Sequence, residues 1–460
     1  MRQHNNNVLL MTDSYKLSHY NQYPEGTEHI YSYIAPRGGH TPIPVLGIND
    51  FCDLLNETNL NSWFIAELEE MAEEHGVPFN EKGWWSLLEK WQGIGFPLRV
   101  MGVPEGTVVD PGTPVAVIVN TDPEFPWLTS FFETLFLRMV WYPSTVAANS
   151  RSCKVRIKEF MLRTGADMTS LPFKLHDFGS RGATCGEAAA KGGSGHLLNF
   201  LGTDNLEAIK HIKDSYGHNM AGFSIPATEH STVTSWGRDS ERAMYEAFII
   251  RNLGPNKVAA CVSDSYNIWD ALEIWKELEP LLLATGGTLV IRPDSGDPVT
   301  TPLEVLERCM RLFGFTTNKK GFRVLPDHIR VIQGDGIDEN LMVRIMQRMV
   351  DAKMSIDNIA FGMGGGLLQK VDRDTYKWAM KCSAARVNGV WRDVYKDPVG
   401  GSKTSLKGLV TPNGVVSYDK ADMILRTKGG LIPHGFMEYY YNGATQVRDS
   451  WETICKRADI

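Results

Sequence analysis

The chain has 460 residues, 43% of them hydrophobic and 22% charged, with a formal net charge of −7. That length leaves room for two domains with substantial cores, and the acidic excess argues against a general nucleic-acid binder, which needs a basic face. Seven cysteines lie scattered with no CxxC spacing and no apolar run reaches the ~18 residues of a membrane span, so a disulfide framework, a zinc site, secretion and membrane insertion are not expected, and a cytoplasmic enzyme of metabolites is.

The first 148 residues carry short β-like pieces punctuated by Gly and Pro ("PLRVMGVPEGTVVDPGTPVAVIVN"), then an aromatic, helix-like stretch, "FPWLTSFFETLFLRMVWY". From 149 to 377 the rhythm changes. Apolar runs end in polar or glycine-containing clusters at "FKLHDFGSRG", "HLLNFLGTDN", "MAGFSIPATEHST", "VAACVSDSYN", "GTLVIRPDSGDP", "IRVIQGDGID" and "NIAFGMGGG". Their markers recur roughly 26 to 41 residues apart, the length of a strand, loop and helix. Continuous apolar strands alternating with helices predict an α/β domain, an irregular, incomplete (β/α) barrel of about seven parallel strands, with an open doubly wound sheet as the rival. The tail, 378–460, again reads as strand and turn, and with residues 1–148 it is expected to form a second, α+β domain.

Reactive side chains of such folds gather beyond the carboxyl ends of the strands, where Arg181, Asp204, His230, Asp264, Arg292, Asp294 and Asp335 fall. In "IRPDSGDP", Arg292 and Asp294 stand two apart after a β-branched run, so in an extended chain both point the same way. A guanidinium grips phosphate, and a carboxylate accepts from a ribose diol or a Mg²⁺-bound water; a solvated turn with a local ion pair is the plainer reading. His230 suits a general acid or base, a phosphate ligand or a phosphorylated nucleophile, or a hydrogen-bonded structural histidine. Phe178 offers a stacking face or a piece of core. "FGMGGGLLQK" lacks both the GxxxxGK[ST] and the GxGxxG spacing, and its glycines serve either a close phosphate or a tight turn. The basic residues Arg373, Lys381, Lys396, Lys403 and Lys407 follow that loop as surface charges or phosphate ligands.

Taken together, "LLMTDSYKLSHYNQYPEGTEHIYSYIAPRGG", "FKLHDFGSRG", "HLLNFLGTD", "EHSTVTSWG", "VSDSYNIWDA", "IRPDSGDP", "RVIQGDGID", "AFGMGGGLLQK", "KCSAARVNG" and "VYKDP" closely resemble the nicotinamide phosphoribosyltransferase family, in order and over most of the chain. The resemblance implies transfer of a phosphoribosyl group from phosphoribosyl pyrophosphate to nicotinamide in NAD salvage, with Mg²⁺ and with ATP as a coupling co-substrate. It also implies a homodimer whose active sites lie at the subunit interface. Phe178 and, from the partner subunit, Tyr15 would sandwich the pyridine ring, and Asp204 would accept from the carboxamide. Arg181, His230 and Arg292 would face the pyrophosphate, with Asp294, Gly334 and Asp335 around the ribose. Gly364, Gly365, Arg373 and Lys381 would hold the 5′-phosphate, Asp13, Lys396 and Lys403 would make further contacts across the interface, and His230 would be phosphorylated from ATP. No metal ligand is assigned directly: Mg²⁺ would ride on the pyrophosphate, with Asp264 reaching it through water. Ala379 departs from the vertebrate pattern, which suggests a serine there near the 5′-phosphate, and the spacing after Val415 is altered.

The chemistry is consistent with this reading. A pyridine nitrogen carries a free lone pair at neutral pH, so no general base is needed; the task is to stabilise a departing pyrophosphate and an oxocarbenium-like ribose. Nicotinate is the competing substrate, and a carboxylate at 204 would repel it. A sugar-phosphate aldolase or isomerase would need a Lys or Glu at these strand ends, and none falls there.

Overall fold

Six short parallel strands carry the middle of the chain in the computed structural model, which describes residues 7–399, 404–425, 430–446 and 448–459. They are β1 (Leu175–Asp177), β2 (Gly202–Thr203), β3 (Val258–Val262), β4 (Thr288–Arg292), β5 (Ile329–Gln333) and β6 (Ile359–Met363). Their spatial order is β2-β1-β6-β5-β4-β3. Both faces are covered, which is why the runs read as continuous apolar stretches. On the inner face Ala260, Val290 and Ile332 form one layer, with Phe178, Ile225 and Ala360 packed on it.

Seven strands are expected from sequence and six form ladders. The remaining run supplies Phe223–Ala227, which makes one parallel bridge to each edge of the sheet, Gly202↔Phe223 and Ala227↔Ala260. Pro226 has no N–H to extend a ladder, although its carbonyl accepts from the Ala260 amide at 2.8 Å. The sheet is therefore curled, with its two edge strands joined through an irregular segment.

Helices follow the strands: α1 (Gly186–Leu197) after β1, α2 (Leu206–Tyr216) after β2, then Ile268–Glu277, Thr300–Phe313 and Glu339–Asp351. Side chains cap several of these starts, Asn205 Oδ1 accepting from the Ala208 amide and Asp338 Oδ1 from that of Leu341, whereas α1 starts after Cys185 with no side-chain cap. One face of each outer helix is apolar, as with Met342, Ile345, Met346 and Met349. After β6 only the single turn Gly365–Leu368 follows.

The chain divides into two units. The one just described comprises Val146–Asp214 and His218–Val371. The other comprises residues up to Thr145, Ser215–Gly217 and Asp372–Asp459. It holds a seven-stranded antiparallel sheet in the order Val390–Asp393, Ala379–Val387, Thr27–Ala35, Ala116–Asn120, Leu98–Gly102, Met437–Tyr441, Ala444–Thr445, so strands from both ends of the chain interleave. A buried Arg99–Glu438 ion pair joins two of these strands at 2.6 Å. The helix Glu133–Thr164 runs through Pro143 and is longer than the aromatic stretch that marks it in the sequence. Among the described residues no helix is long and apolar enough to cross a membrane, and all seven cysteines are free.

Candidate active site

The site is built on the loops that leave the strands. Phe178 follows β1, its N–H donating to the Met363 carbonyl at 3.0 Å. Its ring lies against backbone: a Cβ on Gly362 would stand 2.1 Å from ring Cε2, and one on Gly334 3.3 Å away. Neither glycine has a positive φ; close approach of the ring makes Gly362 necessary. In the glycine cluster beyond β6, a Cβ on Gly366 would meet the Ile337 carbonyl at 2.7 Å, whereas one on Gly365 would face open space.

Asp204 follows β2 and is exposed. Its N–H donates to the Asp177 carbonyl at 3.0 Å, and one carboxylate oxygen accepts from the Ser224 hydroxyl. Arg181 sits exposed in the turn Ser180–Gly182. The turn is held by Asp177, whose buried carboxylate accepts from the Gly179 N–H at 2.7 Å and from Asn205 Nδ2 at 3.0 Å. Desolvation pushes the Asp177 carboxyl up to about 6, against those hydrogen bonds.

A second cluster lies beyond β3 and β4. Asp264, with its side chain only 4% exposed, spreads its two oxygens over three protein partners: Oδ1 meets His230 Nε2 at 3.1 Å, and Oδ2 accepts from the Asp294 N–H at 2.8 Å and the Ser295 hydroxyl at 2.5 Å. The other ring nitrogen, His230 Nδ1, stands 4.0 Å from Asp294 Oδ2. Arg292 Nη2 reaches the same Asp294 oxygen at 3.4 Å, while its buried Nε has no partner among the described residues. Two carboxylates, an imidazole and a guanidinium thus meet at adjacent strand ends, suited to a phosphorylated ligand. Gly334 and the exposed Asp335 follow β5, with the Asp335 carbonyl accepting from Gln333 Nε2 at 3.2 Å. Among the described residues no three His, Cys, Asp or Glu side chains group closely enough to hold a metal ion on their own.

Asp13, Tyr15, Arg373, Lys381 and Lys396 belong to the other unit. Asp13 Oδ2 accepts from Thr134 Oγ1 at 2.6 Å, and Tyr15 is 56% exposed with its ring edge-on to His19. Lys16, beside it, is buried in an ion pair with Glu133. The Lys381 ammonium is held below its ordinary range by desolvation, with Arg37, Lys16 and Arg373 adding to the effect and Glu133 opposing it. Arg373 Nη1 donates to the Trp378 carbonyl at 3.0 Å, and Ala379 is buried opposite Ala35. Lys396 is exposed and lines a cavity of about 670 Å³ with Tyr395 and Lys407. Lys403 lies outside the described residues.

Three supporting residues escape the sequence reading: Asp177, Ser224 and Ser295. Each stands within or beside a motif already noticed, but a buried acid and two hydroxyls carry no spacing signal of their own. Ser224 lies two residues before Pro226 in the bridging segment, where no strand period marks its direction.

Residues 173–424 match the profile of the nicotinate phosphoribosyltransferase (NAPRTase) family, and residues 7–100 match that of the nicotinamide phosphoribosyltransferase N-terminal domain. The chain is 46% identical over 414 residues to a nicotinamide phosphoribosyltransferase of Xanthomonas campestris pv. campestris (strain 8004), spanning 88% of this chain and 87% of that protein. It is 30% identical over 494 residues to a nicotinamide phosphoribosyltransferase of Acinetobacter baylyi, spanning 98% and 97%. Among solved structures, a nicotinate-nucleotide pyrophosphorylase from Pyrococcus furiosus superposes with a TM-score of 0.62 at 13% identity, over 100% of this chain and 96% of that one. Human nicotinic acid phosphoribosyltransferase superposes with a TM-score of 0.56 at 17% identity, over 97% and 92%. At these identities the structural likeness speaks for the fold.

Proposed function

The chain belongs to the nicotinate phosphoribosyltransferase family, and from that premise we propose that it transfers the 5-phosphoribosyl group of phosphoribosyl pyrophosphate to nicotinamide, giving nicotinamide mononucleotide and pyrophosphate in NAD salvage. One observation carries the choice of base: a carboxylate, Asp204, stands at the strand end next to the one that bears Phe178. A ring stacked on Phe178 with its substituent toward Asp204 is favoured when that substituent donates N–H, as a carboxamide does, and repelled when it is a second carboxylate. Tyr15 of a second copy would close the other face of the ring, in a homodimer with two shared sites.

Arg181 and Arg292 stabilise charge building on the pyrophosphate, while Asp294 and Asp335, near the ribose, favour positive charge at the anomeric carbon. The pyridine nitrogen attacks that carbon as its bond to the pyrophosphate oxygen breaks, and no proton need move. Mg²⁺ would supply further charge neutralisation there, and Asp264, whose oxygens already meet three protein partners, would reach it through water. The 5′-phosphate is assigned to Gly364 and Gly365, with Arg373 and Lys381 of the second copy, and Asp13, Lys396 and Lys403 to further contacts across that interface. ATP coupling is assigned to His230, one of whose ring nitrogens is engaged by Asp264 while the other is available to accept a phosphoryl group. The seven free thiols suit a reducing compartment, and we place the reaction in the cytoplasm.

The test is release of pyrophosphate from phosphoribosyl pyrophosphate with nicotinamide or nicotinate as acceptor. Turnover with nicotinamide, well above that with nicotinate, is expected. Preference for nicotinate would reverse the assignment of the base.

A further inference from the structure

We propose that Asp177, paired with Asn205, is a positioning residue that sets the spacing between the Phe178 ring and the Asp204 carboxylate, and so tunes the site to a flat ring bearing a carboxamide. The inference rests on the functional reading above. Asp177 ends β1 and touches both binding elements through different atoms. Its carboxylate holds the Gly179 N–H at 2.7 Å, immediately beyond Phe178, and its carbonyl holds the Asp204 N–H at 3.0 Å. Its second carboxylate oxygen accepts from Asn205 at 3.0 Å, immediately beyond Asp204. One residue therefore fixes the chain next to each of the two side chains that would grip the base.

Asn205 is itself held in place. Its Oδ1 caps α2 by accepting from the Ala208 N–H at 3.2 Å, and its Nδ2 also donates to the Ala189 carbonyl at 2.9 Å. Its own N–H donates to Thr203 Oγ1 at 3.0 Å. The pair is sealed from the side by α1, where a Cβ on Gly193 would stand 2.5 Å from Asn205 Nδ2 and 3.1 Å from Asp177 Oδ2. Both residues are buried, Asp177 at 0% and Asn205 at 1% exposure, so neither meets ligand directly. A buried carboxylate raises a desolvation cost that an apolar residue would avoid. What it provides here is two hydrogen bonds of fixed direction, one to each loop.

The test compares Asn205→Ser with Asp177→Asn. Serine keeps a side-chain oxygen to cap α2 but removes the amide that reaches Asp177. The KM for nicotinamide should rise about tenfold in each variant, with that for phosphoribosyl pyrophosphate moving less than about threefold. The preference for nicotinamide over nicotinate, as a ratio of kcat/KM values, should fall about fivefold or more. Thermal unfolding of each variant gives the folded fraction, so that activity is expressed per folded molecule, and if Asp177→Asn does not fold the serine variant alone decides. Unchanged nicotinamide KM and selectivity in a folded variant, or a loss of kcat alone, would overturn the inference while leaving the function intact. A wild-type protein that releases no pyrophosphate with nicotinamide would overturn the functional reading and the inference with it.

Discussion

Gly362→Ala is the sharpest test of the site, because the structure assigns its effect to a single neighbour. An added Cβ would stand 2.1 and 2.2 Å from Phe178 Cε2 and Cδ2, and 3.0 Å from Cζ, with no other atom among its three nearest. Gly362 has no positive φ, so alanine meets no backbone strain there. The ring must swing away, and the stacking face goes with it. Stacking of a heteroaromatic base on one aromatic side chain contributes about 1–3 kcal/mol, so kcat/KM for nicotinamide should fall roughly 5- to 150-fold. Overpacking at this position should cost about 1–3 kcal/mol of stability besides. The assay is pyrophosphate release at saturating phosphoribosyl pyrophosphate, in wild type, Gly362→Ala, Phe178→Ala and the double variant. Phe178→Ala removes both the stack and the obstacle, so adding Gly362→Ala to it should change kcat/KM by less than about twofold. Additive losses would show that the ring does not rest on Gly362 during turnover, and the geometric argument would fail.

Asp204→Ala should lower nicotinamide kcat/KM by about 1.5–3 kcal/mol in transition-state terms while leaving phosphoribosyl pyrophosphate binding nearly untouched, as separate KM titrations would show. If ATP coupling operates through a phosphohistidine, His230→Ala should abolish acid-labile labelling from γ-labelled ATP and the ATP stimulation, with some uncoupled synthesis left; labelling that persists would point to another residue. His196 is buried between Ser150 Oγ at 2.9 Å and the Gly202 carbonyl at 3.1 Å, and desolvation lowers its pKa from 6.5 to about 3. Its folded pKa is depressed, so its contribution to stability is present above pH 6.5 and is lost as the pH falls towards 3. It should amount to about 1.5–2 kcal/mol between pH 6.5 and 5, and His196→Gln, which cannot titrate, should flatten that part of the Tm–pH curve. In the proposed homodimer with shared sites, Tyr15→Ala and Asp294→Ala, each severely impaired alone, should recover roughly a quarter of wild-type activity when unfolded and refolded together, because about half of such dimers would be hybrids with one intact site; a mixture as inactive as its parents would count against the shared site.

The strand ends were legible in the sequence for a physical reason. Strands buried on both faces do not alternate polar and apolar residues regularly, so "VAACV" and the centre of "TLVIR" stand out as apolar runs, with Arg330 the one charged residue inside "IRVIQ", and the polar residues after them mark the loops. The bridging segment was harder, since Pro226 removes the donor a ladder needs and leaves only isolated bridges. Pairings between the chain's two ends carry no local signal at all. Met437–Tyr441 pairs antiparallel with Leu98–Gly102 across more than three hundred residues, and nothing in either strand names the other. Within the site, charged residues at loop starts are visible, but Asp177, just before the more conspicuous Phe178 and Arg181, is not singled out by the sequence. Burial of a carboxylate depends on what packs over it, here Gly193 of a later helix, and that is a property of the fold.

The irregular segment has a consequence for how the two halves of the site communicate. Ser224 donates to Asp204 beyond β2, at one edge of the curled sheet, and six residues later His230 meets Asp264 beyond β3, at the other edge. Between them the chain is held by the Thr203 and Ala260 amides donating to Phe223 and Pro226 carbonyls, by the Phe223 and Thr228 amides donating to the Leu201 and Ala260 carbonyls, by Thr228 Oγ1 accepting from the Val262 N–H, and by Ile225 packed on the inner apolar layer. A regular strand here would hold both ends rigidly in register. A segment bridged once at each edge and unpaired between can move as one piece, so that a displacement at one end reaches the other. If His230 carries a phosphoryl group, the added charge must be accommodated beside Asp264 and Asp294, and a movement of His230 would then pass along this short span to the hydroxyl that donates to Asp204. Coupling between ATP and the base is then expected to appear in the nicotinamide KM, and Ser224→Ala should uncouple the two by releasing Asp204 from the segment.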